Sequence, residues 1–358
     1  MGRRIGAMWV VATTVMALFV WCVQGAVVIN TWPFTHATSA AFRVLSHGAD
    51  ADSTVQRNRA LDAVVAGCQQ CEEEQCDFTV GYGGSPDTTG ETTLDAMILD
   101  GTTKAMWAVA RLRRVKGAIQ VARAVMEHSA HSILAGDGAT AFAKMMGFTE
   151  ESLSTPSSQE KFAQWRAHQC QPNYYRNVQG QNSSCPPYKP LVNSRWSRLD
   201  DAKERSKAAQ LISETNHDTI GMIVLTDGGH IAAGTSSNGA NHKIAGRVGD
   251  AAVPGAGAYA DSAIGGAACT GDGDVMMRFL PSFHAVLDMA NGLHPQVACE
   301  KALIRIAKHF PDFKGGIVCL NRLGAYGGAG HGWDFSFTVQ ATGMAEPSVV
   351  HVAPISLQ

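Results

Sequence analysis

Asn216-His217-Asp218-Thr219-Ile220-Gly221 is the stretch on which the reading of this chain turns. Upstream, residues 155–216 have a linker composition: prolines stand at 172, 186, 187 and 190, and Arg, Asp, Lys and Glu crowd between 195 and 207. Downstream, Ile220 to Leu225 and His230 to Gly234 flank Asp227-Gly228-Gly229, an apolar run on either side of an Asp-Gly turn, which predicts a β-hairpin. Thr219 thus stands where linker becomes core. A threonine hydroxyl is a poor nucleophile unless a base takes its proton, and a free α-amine on the same residue, with a pKa of about 7.7 to 8, can do so. Cleavage of the Asp218–Thr219 bond supplies that amine, and Asp218 is placed to help the hydroxyl attack its own carbonyl in a strained turn. By themselves, the letters HDT are better read as an ordinary turn into a strand.

The chain has 358 residues, enough to bury one large core or two ordinary ones. With 29 basic against 31 acidic residues it carries no electrostatic footprint for nucleic acid. Charged residues make up only 17% and there are 37 glycines, which suits a turn-rich enzyme with a generous interior.

The first residues read as a targeting segment. Arg3 and Arg4 precede an apolar run from Met8 to Val23, and the small Gly25 and Ala26 offer a cleavage point. A signal peptide over residues 1–25 and the secretory route are expected, with no membrane contact after its removal. A retained anchor is the alternative, because the run is near the lower limit for spanning a bilayer. Eight of the nine cysteines follow this segment. In an oxidising compartment some pair; the local pairs Cys71–Cys76, Cys170–Cys185 and Cys299–Cys319 are the simplest connectivity among those the sequence allows. Asn182-Ser183-Ser184 is a glycosylation sequon, with Asn182 the acceptor.

Periodicity predicts a first strand over 26–31 and helices from Thr38 to Leu45 and Thr54 to Cys68. Further elements are a strand from Leu94 to Leu99, an amphipathic segment from Arg113 to His128, a strand at Ser132 to Leu134 and a helix from Ala139 to Met146. Beyond the hairpin, helices are expected over Asp274 to Ala290 and Pro295 to His309, and strands over Gly315 to Leu320, Phe335 to Gln340 and Val349 to Val352.

Several motifs lead elsewhere and are set aside. Cys68-x2-Cys71 has no second metal-binding pair, so a disulfide beside a solvated acidic turn is the reading of residues 71–76. Gly255-Ala256-Gly257 lacks the strand before and helix after that a dinucleotide loop needs. Asp272-Gly273-Asp274 lacks the glutamate of a calcium loop and reads as an acidic helix start. Neither Ser236 nor Ser282 lies in a nucleophile elbow.

NTWPF at 30–34, GYGGSPD at 81–87, GETTLDAMILDG at 90–101, CQPNYYRNV at 170–178, HDTIGM at 217–222, HIAAGTSSNG at 230–239, GRVGD at 246–250, PGAGAYAD at 254–261 and CTGDGD at 269–274 span nearly the whole chain. Through them it resembles the aspartylglucosaminidase (glycosylasparaginase) family of N-terminal nucleophile hydrolases. The resemblance implies an α/β fold, a four-layer αββα sandwich, cut into an α chain over 26–218 and a β chain over 219–358 that together form one domain. A dimer of such pairs, a lysosomal or secreted location and no metal or organic cofactor are implied as well.

Position by position, the resemblance makes Thr219 the nucleophile and His217-Asp218-Thr219 the autoproteolysis site. Arg247 and Asp250 would hold the carboxylate and ammonium of a substrate asparagine, one cation and one anion for a zwitterion. Thr270 and Gly271 would form the oxyanion hole, and Trp32 would line the substrate pocket. Ser237 stands where the family usually has threonine; its hydroxyl keeps the means to position the nucleophile. No cysteine follows Cys319, so the family's C-terminal disulfide has no counterpart, and Cys68 and Cys269 are left as free thiols. Two family glycosylation positions are lost, at His36 and at Asn321-Arg322-Leu323. The implied substrate is a small glycosyl-asparagine, N4-(β-N-acetylglucosaminyl)-L-asparagine. The nearest alternative is the related L-asparaginase or isoaspartyl peptidase, which typically opens with an IHGGAG-like segment where this chain has NTWPF. A noncatalytic secreted binding protein on the same fold is the remaining one.

Overall fold

The computed structural model describes residues 25–46, 52–180, 182–191 and 219–356. Most of the expected signal peptide lies outside the described residues, as do His217 and Asp218 of the expected cleavage site. In order, the elements are β1 (Val27–Thr31), α1 (Thr35–Ser46), α2 (Ser53–Glu74), β2 (Thr93–Asp100), β3 (Met106–Arg113), α3 (Ala118–His128), β4 (Ile133–Ala135), α4 (Gly136–Met145) and α5 (Pro156–Ala167). After the hairpin strands β5 (Ile220–Leu225) and β6 (Ile231–Ser237) come β7 (Ala258–Asp261), β8 (Gly265–Gly271), α6 (Gly273–Phe279), α7 (Pro281–Ala290) and α8 (Pro295–Ala307). The chain closes with β9 (Gly315–Asn321), β10 (Tyr326–His331), β11 (Phe335–Ala341) and β12 (Ser348–Val352).

These strands make two sheets in a mixed α/β fold. The larger has the order β12-β11-β1-β5-β6-β2-β3-β4 and the smaller β10-β9-β8-β7. Helix α2 packs on β5 and β6 and α3 on β2 and β3, whereas α7 and α8 pack on the smaller sheet. The two sheets meet through β5 and β6 against β8. Their approach is close: a Cβ on Gly221 of β5 would stand 2.8 Å from Ala268 Cβ of β8, so only glycine fits there. Ile29, Ile223 and Val224 are fully buried on the central strands. Truncating any one of the isoleucines to alanine costs about 2–5 kcal/mol.

The hairpin forms as the sequence predicts, with Ile220 opposite Ser236 and Leu225 opposite Ile231. Elsewhere the structure corrects the reading. The segment read as linker opens with α5, which is held at its start by Thr155 and Ser158 in a capping box, with Pro156 in the first turn. Residues 274–290 form two helices, not one, because Leu280 turns left-handed (φ 48°) and Pro281 begins a new helix. The acidic turn after Cys71 is not solvated throughout: α2 continues to Glu74 and Glu72 is buried. The Glu72 carboxylate accepts from Ser236 Oγ at 2.6 Å and Ile119 N at 3.0 Å. Strands β3, β7, β8 and β10 were not anticipated. Glycine-rich β8 (GGAACTG) and β10 (YGGAGH) read locally as loops, and their pairing with β9 makes them strands.

Disulfides join Cys71 to Cys76, Cys170 to Cys185 and Cys299 to Cys319, while Cys68 and Cys269 are free and buried. Asn182 is exposed. No helix among the described residues is long and apolar enough to cross a membrane.

Candidate active site

Thr219 sits just before β5 and is buried. Its backbone N–H donates to Thr270 Oγ1 at 3.0 Å, and its carbonyl accepts from Thr31 Oγ1 at 2.7 Å. Thr31 Oγ1 in turn accepts from Gly221 N at 2.9 Å. One hydroxyl from β1 therefore bridges the carbonyl before Ile220 and the N–H after it, where the chain leads from Thr219 into β5. Thr31 was not singled out by the sequence reading, although it lies inside the NTWPF stretch.

Thr270 Oγ1 also accepts from Trp32 Nε1 at 2.9 Å. A hydroxyl has two acceptor sites and one donor. With both acceptor sites taken, its proton is left to point at a third group, which is what an oxyanion donor requires. Gly271 next to it has φ 124°, and a Cβ there would lie 2.5 Å from Lys314 O, so the backbone at this turn admits only glycine.

Trp32 follows β1 in a left-handed conformation (φ 67°), which is costly for a bulky residue and persists only where the surroundings enforce it. They do: Trp32 N donates to Ser336 O at 2.8 Å, Thr338 Oγ1 donates to Trp32 O at 2.9 Å, and the rings of Trp333 and Phe335 meet the indole edge-on at 5.3 and 5.4 Å. Ser237 ends β6, and the hairpin register, in which Ile220 faces Ser236, sets it across from Thr219. It is buried, and its Oγ accepts from Gly239 N at 2.9 Å.

Arg247 and Asp250 lie on the loop after β6. A Cβ on Gly273, the first residue of α6, would be 3.1 Å from both Arg247 Nη2 and Asp250 Cγ, so the two side chains converge on one bare backbone position. Arg247 Nη2 also reaches Asp274 Oδ2 at 3.2 Å. Asp95, on β2, accepts from Gly249 N at 2.8 Å and Arg111 N at 2.7 Å and fastens this loop to the larger sheet. Asp95 carries no sequence signal beyond its place in the GETTLDAMILDG stretch. Burial pushes the Asp250 carboxyl up to about 7; Arg247 pulls the other way, and Asp274 and Asp95 add to the rise. Arg247 Nε and Asp250 Oδ2 are buried without a hydrogen-bond partner among the described residues. A cleft of about 460 Å³ lined by Lys161, Trp165, His168 and His242 opens beside α5 and contains none of these groups.

The structure thus brings together Thr219, Thr270 and Trp32 by direct hydrogen bonds, Ser237 by register, and Arg247 with Asp250 at the start of α6, two residues after Gly271. His217 and Asp218 lie outside the described residues.

The sequence of residues 20–348 matches the asparaginase family. The chain is 52% identical to a mouse protein named N(4)-(beta-N-acetylglucosaminyl)-L-asparaginase over 303 residues, 84% of this chain and 83% of the relative. The rat protein of the same name is likewise 52% identical over 303 residues. An Arabidopsis thaliana relative named "Probable isoaspartyl peptidase/L-asparaginase 3" is 45% identical over 335 residues, 92% of this chain and 90% of its own. With the match running through both sheets and every element that carries the site, the chain belongs to the asparaginase family.

Proposed function

We propose that this chain is a self-activating amidohydrolase that cleaves the N4-(β-N-acetylglucosaminyl)-L-asparagine linkage, giving aspartate and an amino-sugar. The observation that carries this reading is the double acceptance at Thr270 Oγ1, where Thr219 N–H and Trp32 Nε1–H meet. It ties the nucleophile's own nitrogen to the hydroxyl that faces the developing charge. Cleavage of the Asp218–Thr219 bond frees the α-amine, which takes the proton of the Thr219 hydroxyl. The Thr219 oxygen then attacks the side-chain amide carbon of the bound asparagine, and the Thr270 hydroxyl with the Gly271 N–H stabilises the tetrahedral oxyanion. Collapse breaks the C–N bond, the amine returns its proton to the leaving nitrogen, and a β-aspartyl ester remains on Thr219. Water, deprotonated by the same amine, hydrolyses that ester. Arg247 and Asp250 hold the carboxylate and ammonium of the substrate meanwhile, and Ser237 positions Thr219.

The names of the mouse and rat relatives support the glycosyl substrate. The name of the Arabidopsis relative supports the second reading, an L-asparaginase or isoaspartyl peptidase on the same machinery. The architecture is that of a four-layer αββα sandwich, supported by the helices packed on each sheet, with chains over 26–218 and 219–358. Assembly as a dimer of αβ pairs, glycosylation at Asn182 and delivery to the lysosome or outside the cell complete the proposal. Turnover of glycosyl-asparagine measured against β-aspartyl dipeptides tests the substrate: a clear preference for the dipeptide sinks the first reading. N-terminal sequencing of the smaller chain tests the cleavage, with Thr219 the expected first residue.

A further inference from the structure

Lys243 stands on the loop between β6 and Arg247, and the mechanism above gives it no part. It is buried, only 3% exposed, although an ammonium is costly to take out of water. Its Nζ donates to Asn238 O at 2.5 Å and to Ser85 O at 3.4 Å, so both partners are backbone carbonyls. Burial is the chief cause that lowers its pKa to about 8, with Asp95 pulling the other way, and at neutral pH the group remains an ammonium.

The carbonyl of Asn238 and the N–H of Gly239 belong to one peptide unit. The carbonyl accepts from Lys243 Nζ and the N–H donates to Ser237 Oγ at 2.9 Å, so a single planar amide stands between the ammonium and the Ser237 hydroxyl. A cation on the carbonyl oxygen draws electrons from the nitrogen and strengthens the N–H as a donor, and hydrogen bonds linked in such a chain polarise one another. The turn that carries this amide is fastened to the GYGGSPD stretch: Asn238 N donates to Thr79 O at 2.7 Å and Asn238 Nδ2 to Gly81 O at 3.0 Å. Gly239 is left-handed (φ 71°), and a Cβ there would stand 3.0 Å from Arg247 Nη1 and 3.5 Å from Lys243 Nζ. The bare glycine lets both cations close on this turn. We propose that Lys243 is a positioning residue whose ammonium, acting through the Asn238–Gly239 amide, fixes the Ser237 hydroxyl in the orientation that serves Thr219. This rests on the reading of Ser237 given above, and adds that Thr79, Gly81 and Ser85, all before the Asp218–Thr219 bond, hold the turn on which that hydroxyl stands.

Lys243→Met keeps a stem of similar size and removes the ammonium, and Lys243→Gln is a second uncharged replacement. Each is made in the wild-type chain and in Ser237→Ala. Two rates are measured at pH 7: hydrolysis of N4-(β-N-acetylglucosaminyl)-L-asparagine by the cut protein, and self-cleavage on a denaturing gel, which needs no substrate. In the otherwise wild-type chain both rates are expected to fall about 10-fold, from loss of a hydrogen bond to a charged group, with KM within about 2-fold. In the Ser237→Ala chain the same replacements lower either rate by less than about 2-fold, because the relay has already lost its end. An undiminished 10-fold loss in that background overturns the proposal, as does a rise in KM at constant kcat, which puts the effect of the ammonium on Arg247 instead. Failure of both variants to accumulate as folded protein marks a structural role and overturns it too. If Ser237→Ala keeps both wild-type rates, the reading of Ser237 and the role of Lys243 fall together. A slowed Ser237→Ala beside wild-type rates in both Lys243 variants removes Lys243 alone.

Discussion

Thr270 Oγ1 receives two N–H groups before any substrate arrives, whereas Arg247 Nε and Asp250 Oδ2 are buried with no hydrogen-bond partner among the described residues. The two regions adjoin, since only Asp272 separates Gly271 from the start of α6, and Gly273 is the position on which Arg247 and Asp250 converge. Their difference separates two tasks. Stabilising a charge that exists only in the transition state requires dipoles fixed in advance, because reorganising them during the reaction adds to the barrier. Recognising a zwitterion requires the reverse, groups left unmet so that the ligand completes them. On the proposed mechanism the first region acts on rate and the second on binding.

The severest test of that division is Thr219→Ala, which removes the hydroxyl proposed as the nucleophile of both reactions. No turnover and a single uncut chain on a denaturing gel are expected; cutting that persists in this variant breaks the link between cleavage and catalysis. Thr270→Val comes next. It deletes the proposed oxyanion donor and strands the N–H groups of Trp32 and Thr219, so kcat is expected to fall about 10²- to 10³-fold with KM nearly kept. A change confined to KM erases the distinction between the regions. On the binding side, Arg247→Lys replaces a planar fork with a point charge, and KM rises about 10-fold at similar kcat. Steady-state kinetics of the two variants side by side make the comparison.

The pH dependence sharpens the picture further. Burial holds the Asp250 carboxyl up near 7, so in the free protein it is largely neutral below that pH and ionised above it. Only the ionised form pairs with an ammonium. Affinity for L-aspartate, measured by calorimetry on the Thr219→Ala protein, should therefore rise as pH increases from about 6 to 8, by less than 10-fold per unit.

The smallest effect on activity is expected at Glu72, which lies in neither region. Burial pushes its carboxyl up to about 8, against the pull of hydrogen bonds from Ser236 and Ile119. Folded protein keeps this proton up to about pH 8, whereas an unfolded glutamate loses it near the usual 4.5. Holding more protons than the unfolded chain, the folded state loses stability as pH rises between those values. Glu72→Gln is neutral throughout, so its Tm should fall less steeply from pH 5 to 8 while kcat stays at the wild-type level. An equally steep fall would show that Glu72 is ionised in the folded state.

The most local features were the most legible. The β5–β6 hairpin follows from an Asp-Gly turn between apolar runs, and the acidic helix start at Asp272 from its capping chemistry: Asp272 accepts from Val275 N. The three local disulfides are the simplest of the pairings that the sequence leaves open, and the structure forms them. Helix α5 was hidden because its exposed face is polar and its periodicity weak, and only Ser158 and Trp165 are buried along it. Strands β8 and β10 were hidden because their glycines carry no hydrophobic pattern; they are small so that neighbouring layers can approach. Glu72 looked like part of a solvated run because the sequence does not say that Ser236, 164 positions away, will meet it.

The site divides along the same line. The sequence by itself determined the residue types proposed for the chemistry, a threonine at the head of a strand, an Arg-x-x-Asp pair and a Thr-Gly step, because they stand in short contiguous motifs. Only the tertiary structure decided that Thr31 bridges the backbone on either side of Ile220, that Asp95 fastens the Arg247 loop, and that Arg247 Nε and Asp250 Oδ2 are buried without a hydrogen-bond partner among the described residues. Each of these depends on strands or loops far apart in the chain. Whether a hydroxyl is satisfied, and by what, is settled by which backbone groups the packed sheets bring within 3 Å of it.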